Sequence, residues 1–141
     1  MEFYFSIFED AKVLSLLRWG KHGGSKEGAV LTAKLRMAGQ EFIVLNGGPE
    51  FKFNEAISLT VDCADQNEVD YYWERLTADG GEPGPCGWLK DKFGVSWQIA
   101  PAVMMEMLLS ENTEASDRAM GAMMKMKKLD IATLVKAYEE A

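Results

Sequence analysis

Apolar and polar positions along the chain change period several times, and each change marks an element. Residues 1–8 are dense in aromatics (Phe3, Tyr4, Phe5, Phe8) with apolar side chains at helical offsets, which reads as the closing turns of a helix. Residues 12–19 are strand-like, and a polar loop through His22, Gly23, Gly24 and Ser25 follows. Residues 29–37 and 41–46 form a hairpin turned at Ala38-Gly39, and Asn46-Gly47-Gly48-Pro49 breaks the chain. Residues 56–62 then alternate small or polar with large aliphatic, the pattern of a strand with two different faces. Asp65 offers an N-cap with Glu68 as its capping-box partner. The helix behind them carries Val69, Tyr72, Trp73 and Leu76 on one stripe and ends near Gly80-Gly81. Residues 82–85 read as a loop, and 87–99 as a second hairpin whose turn is supplied by Asp91 and Gly94. From Pro101 the pattern becomes helical over 103–109, 113–127 and 131–140, with Thr113 and Asp130 as caps.

The two hairpins superimpose. Laying Gly39 on Gly94, 55 residues apart, places Phe42 on Trp97, Ile43 on Gln98 and Val44 on Ile99, and the aromatic helix Phe3-Tyr4 near Tyr71-Tyr72. Each unit reads helix–strand–strand–strand, and the second has an extra strand in front that the first lacks. The expectation is an α+β fold of paired βαβββ units forming a curved mixed-sheet cup, the first strand of the first unit absent, with a helical C-terminal tail. One domain spans 1–141, made of a first unit 1–50, a second unit 54–100 and a tail 101–141.

Composition narrows the partners. With 141 residues and 48 % of them apolar, the chain can build one proper core. Net charge is −7, and the basic residues form no dense patch, since only Lys125, Lys127 and Lys128 cluster. Neither nucleic acid nor an anionic membrane is expected as a partner. There is no apolar run of roughly 18 residues and no basic-then-apolar leader, so neither a membrane span nor a targeting segment is expected. Cys63 and Cys86 make neither a disulfide framework nor a metal cluster, which fits a reducing cytoplasm.

Alternation places Ala56, Ser58 and Thr60 on one strand face and Ile57, Leu59 and Val61 on the other. The aliphatic set needs a helix against it, so the small polar set faces the cup. Ser96, Gln98 and Ala100 share a face in the last strand. Hydroxyl and amide groups inside a concave sheet either satisfy one another or meet a ligand. The ligand-binding set expected is Ser58, Thr60, Cys86, Trp88, Lys90 and Gln98. No residue is assigned a catalytic role, and no cofactor is expected. Blander readings stand beside these. His22 is a solvated loop residue without the partners that metal or base chemistry needs. Cys86 reads as a packed thiol and Cys63 as structural. Asp62 and Asp65 flank a strand-to-helix turn and cap it. Lys90 and Asp91 straighten a turn and face water, with Lys90 able to reach an anionic ligand at the rim. Met120, Met123, Met124 and Met126 read as core or interface.

Several motifs together resemble one family. They are Phe3-Tyr4 with Ser6-Ile7-Phe8, Leu45-Asn46-Gly47-Gly48-Pro49, Phe53-Asn54-Glu55-Ala56-Ile57-Ser58 and Cys86-Gly87-Trp88-Leu89-Lys90-Asp91. Phe93-Gly94-Val95-Ser96-Trp97-Gln98 and Met126-Lys127-Lys128-Leu129-Asp130-Ile131 complete the set. They resemble the PhnB-like branch of the vicinal oxygen chelate superfamily, the glyoxalase, bleomycin-resistance and extradiol dioxygenase group. That branch is often labelled 3-demethylubiquinone methyltransferase-like, yet no strand here is followed by a glycine-rich nucleotide turn. The resemblance implies a small-molecule-binding homodimer. It also implies where metal ligands would stand, and there this chain has Ile43, Ala56 and Gln98 in place of a carboxylate, a histidine and a glutamate, so no metal is expected. Two alternatives stay open: a lyase- or dioxygenase-type enzyme of the same superfamily, and a structural or partner-binding homodimer.

Overall fold

The computed structural model describes residues 1–140, which fall into two compact units divided between Lys52 and Phe53. The architecture is α+β, with one antiparallel sheet, one mixed sheet and a helical C-terminal region, as the periodicities imply.

The first unit opens with a single helical turn, α1 (Glu2–Phe5), after which Ile7 and Phe8 are buried. Strands β1 (Lys12–Arg18), β2 (Val30–Met37) and β3 (Gln40–Leu45) form an antiparallel sheet in that order. The stretch after β1 is not an open loop, since Lys21–Lys26 winds into 3₁₀ turns, and His22 is exposed within them. In β2 alternate residues separate: Ala33, Leu35 and Met37 are buried, whereas Lys34 and Arg36 both reach Glu41 across the hairpin, at 2.6 and 3.2 Å. The turn is the expected one, with Ala38 and Gly39 both at positive φ. Asp10 caps it, its two carboxylate oxygens accepting from Ala38 N–H at 2.7 Å and Gly39 N–H at 2.8 Å.

In the second unit β4 (Ser58–Cys63) leads into α2 (Gln66–Thr77). Asp65 is the N-cap, accepting from Glu68 N–H, and Glu68 reaches back to Ala64 N–H. Strands β5 (Glu82–Pro83), β6 (Trp88–Lys90) and β7 (Ser96–Pro101) complete a sheet of order β4-β7-β6-β5, with β4 parallel to β7 and the other neighbours antiparallel. The repeat therefore holds element by element, α1-β1-β2-β3 against α2-β5-β6-β7, and the loop expected at 82–85 contains the two-residue β5. Register puts Leu89 opposite Trp97, and both are buried with Ile99 on one face. Val69, Trp73 and Leu76 of α2 are buried as well, while Tyr72 is only half covered. Each of these aliphatic side chains contributes about 1.5–3 kcal/mol by leaving water.

Three expectations for this unit fail. Strand β4 begins at Ser58 rather than residue 56, because Asn54 closes a turn onto Ala56 N–H at 2.9 Å. Ile57 is consequently 78 % exposed instead of packed under a helix. Asp91 does not face water: it is 3 % exposed, and its carboxylate accepts from Phe93 N–H, Val95 N–H and the Trp97 indole N–H at 2.9, 3.1 and 3.0 Å. The β6–β7 turn is thus organised around a buried acid.

The tail comprises α3 (Ala102–Leu108), α4 (Thr113–Met123) and α5 (Ile131–Glu139). Met104, Met107, Ala119, Leu129 and Leu134 form its core, with Met123 and Met126 packed against it; Met120 and Met124 are exposed. Asn112, not Thr113, caps α4, while Asp130 caps α5 as expected. Helix α4 stops at Met123, short of the expected 127, because the chain beyond it pairs with the β5–β6 loop. Cys86 N–H donates to Met126 O and Gly87 N–H to Lys127 O, both at 2.8 Å. Gln66 ties the same segment to α2, donating to Leu129 O and accepting from Ile131 N–H.

Candidate functional site

Directly opposed residues on neighbouring strands share a sheet face, so the register fixes which side chains stand together. On the face away from Leu89 and Trp97, one row across β4, β7 and β6 is Ser58, Ser96 and Lys90; the next is Thr60, Gln98 and Trp88. A cleft of about 480 Å³ opens on this side, lined chiefly by Pro83, Pro85, Cys86, Trp88, Lys90 and Ser96, together with Glu55 and Glu82. That volume is in the range that admits a small organic molecule.

Three of the expected residues, Cys86, Trp88 and Lys90, line the cleft. The other three stand on the same face further across the sheet, Gln98 on β7 and Ser58 and Thr60 on β4. Ser58 and Gln98 satisfy each other, the Gln98 amide donating to Ser58 Oγ at 2.9 Å, and Thr60 is exposed. Three polar lining residues escape the sequence reading. Glu55 and Glu82 lie outside the alternating stretches that periodicity interprets. Alternation puts Ser96 on the same face as Gln98 and does not distinguish the two.

Electrostatics concentrate on Lys90. Its ammonium is paired with the Glu55 carboxylate, which raises the lysine pKa, and Glu82 adds a smaller push in the same direction. The same pairing lowers the pKa of Glu55. Ser96 is the anomaly: 2 % exposed, with no hydrogen-bond partner for Oγ among the described residues. A buried hydroxyl left unpaired costs roughly 1–3 kcal/mol, so something outside the chain is expected to answer it. Cys86 adds a second oddity, since it holds φ at 56° between Pro85 and Gly87, a conformation rare outside glycine and held here by its bond to Met126 O. Cys63 is different: fully buried, with burial first and then Glu68, Asp62 and Asp65 pushing its thiol up to about 12.

Among the described residues no three His, Cys, Asp or Glu side chains gather where they could hold a metal ion. Ile43 is 73 % exposed on β3, and Gln98 is engaged by Ser58. No helix among the described residues is long and apolar enough to cross a membrane.

The family model described as 3-demethylubiquinone-9 3-methyltransferase matches residues 1–100. This chain belongs to that family. A PhnB protein from Bacillus cereus, carrying a provisional 3-demethylubiquinone-9 3-methyltransferase name, is 35 % identical, with a TM-score of 0.62 over 72 % of this chain and 88 % of that one. A Pseudomonas aeruginosa protein of known crystal structure shares the fold at 17 % identity, with a TM-score of 0.53 over 71 % of this chain and 84 % of its own. No curated protein sequence matches significantly. The matched 1–100 span of this 3-demethylubiquinone-9 3-methyltransferase family member includes every cleft residue named above.

Proposed function

We propose that this chain is a cytoplasmic, homodimeric small-molecule-binding protein of vicinal oxygen chelate type, glyoxalase- and bleomycin-resistance-like in its unit plan and without that superfamily's usual metal. The observation that carries the reading is the buried, unanswered Ser96 hydroxyl in a largely apolar cleft. Core hydroxyls in a purely structural sheet find partners, as Ser58 does with Gln98. Methyl transfer, suggested by the family's name, has little support in the βα turn. The Glu68 N–H at the N-terminus of α2 is answered by Asp65, and the Glu68 carboxylate adds a further negative group beside it. The metal-assisted lyase or dioxygenase chemistry of that superfamily would need metal donors, and Ile43 and Ala56 supply none.

The dimer reading rests on the first unit. Strand β3 pairs on one side only, and its Ile43 and Leu45 are 73 and 63 % exposed. An apolar sheet edge of this kind favours pairing with another chain, and a two-fold contact closes it.

Native mass spectrometry of the gently purified protein, with elemental analysis in parallel, tests the whole reading. A two-chain species carrying a small organic molecule and no stoichiometric zinc, iron, manganese or nickel is expected. One metal per chain, lost on Gln98→Ala, would overturn the metal-free reading, and a folded monomer at micromolar concentration would overturn the dimer.

A further inference from the structure

We infer that the cleft takes a neutral, flat ligand through a carbonyl oxygen received jointly by the Lys90 ammonium and the Ser96 hydroxyl. This rests on the binding reading above and adds the ligand's chemical class. Lys90 and Ser96 are directly opposed on β6 and β7. Their Cβ atoms are therefore about 4.5–5.5 Å apart on one face, and both side chains line the cleft. A lysine ammonium has three N–H donors, and Glu55 engages Lys90 through one carboxylate oxygen. The Ser96 O–H is buried and uncommitted. Two donors thus converge on one place, which suits a single acceptor oxygen.

Charge decides which kind of oxygen. The Lys90 ammonium already has a counter-ion in Glu55, and Glu82 adds a second carboxylate to the lining, in a chain of net charge −7. A ligand carboxylate would meet one cation against two anions. A ligand ammonium carried to the depth of Ser96 would meet Lys90. A polarised neutral carbonyl incurs neither penalty and gains a charge-assisted hydrogen bond as well as the hydroxyl. The walls agree: Pro83, Pro85 and Trp88 are apolar or aromatic and suit a ring. Glu55 then acts as a specificity residue, because its carboxylate occupies the place a ligand carboxylate would take on Lys90.

Three naphthalenes bearing an acetyl, a carboxylate or an aminomethyl group test this on the full chain, followed by the NMR shifts of the Gly84, Trp88, Lys90 and Ser96 amides. The acetyl compound is expected to bind at least about ten-fold more tightly than the other two. Ser96→Ala should weaken it about 3–10-fold, the loss of one hydrogen bond. That variant should melt no lower than the parent, since it removes an unpaired hydroxyl. Glu55→Gln should reverse the order of ketone and carboxylate. Tighter binding of carboxylate or amine at these amides, or an unchanged ketone affinity in Ser96→Ala, overturns the carbonyl inference and leaves the cleft a binding site. Shifts at none of these amides with any probe overturn both.

Discussion

Replacing Asp91 by alanine should be among the most damaging single changes in the second unit, although it sits in a hairpin turn. Its carboxylate takes three N–H donors, two from the backbone of the turn and one from the buried Trp97 indole. Truncation strands the indole N–H, at about 1–3 kcal/mol, because that atom lies away from water. The Phe93 and Val95 amides are part-buried and regain some hydration, so they add roughly 0.5–1 kcal/mol each. The sum is about 3 kcal/mol. With a urea slope of about 2 kcal/mol per molar, the midpoint should fall by about 1.5 M. Equilibrium unfolding in urea reads this directly, and a double-mutant cycle with Trp97→Phe isolates the indole bond. Coupling of at least about 1 kcal/mol is expected between the two positions. An Asp91→Ala loss below about 1 kcal/mol, or coupling near zero, would refute the buried-acid account. Asp91→Asn should fall between, since one amide oxygen still accepts while the NH₂ confronts a donor.

Three further outcomes follow from the same geometry. Gly87→Ala should destabilise by about 2–4 kcal/mol: φ is +81°, and a Cβ would lie 2.9 Å from Ile99 O and from a Leu129 methyl, so hydrogen exchange over residues 126–131 should accelerate if the loop anchors the tail. Asp10 has its carboxyl lowered from 3.8 by the Gly39 and Ala38 N–H groups. Its contribution is present above the unfolded value and lost as pH falls through the lower folded one. Asp10→Asn should therefore flatten the acid limb of the stability curve below about pH 4, and an unchanged limb would contradict the cap. With its thiol pushed up to about 12, Cys63 should resist alkylation at pH 8 until the chain unfolds, whereas Cys86, half-buried at the cleft, should label in the native state. Native labelling of Cys63, read by mass, would count against its burial.

What could be read from the chain was local. The hairpin turn at Ala38-Gly39, the Asp65 and Asp130 caps and the helical stripe Val69-Tyr72-Trp73-Leu76, of which only Tyr72 stays half-covered, each depend on residues within one or two turns of one another. What escaped depends on register and on distant partners. Asp91 looks like any polar turn residue until the fold brings the Trp97 indole over it, and that requires knowing which face of β7 is buried. Asp10 reaches Ala38 and Gly39 across 28 and 29 residues, with no signal in the sequence between. The candidate site shows the limit most sharply. Alternation alone placed Ser58, Ser96 and Gln98 on one face and gave no means of choosing among them. The parallel register of β4 on β7 sets Ser58 beside Ser96, yet the longer Gln98 amide reaches diagonally to claim Ser58. Ser96 is left without a partner, opposite Lys90, in the part of the sheet that opens into the cleft. One residue of slip between the strands would turn Ser96 to the other face, so the polarity of the cleft follows from strand pairing as much as from the residues that line it.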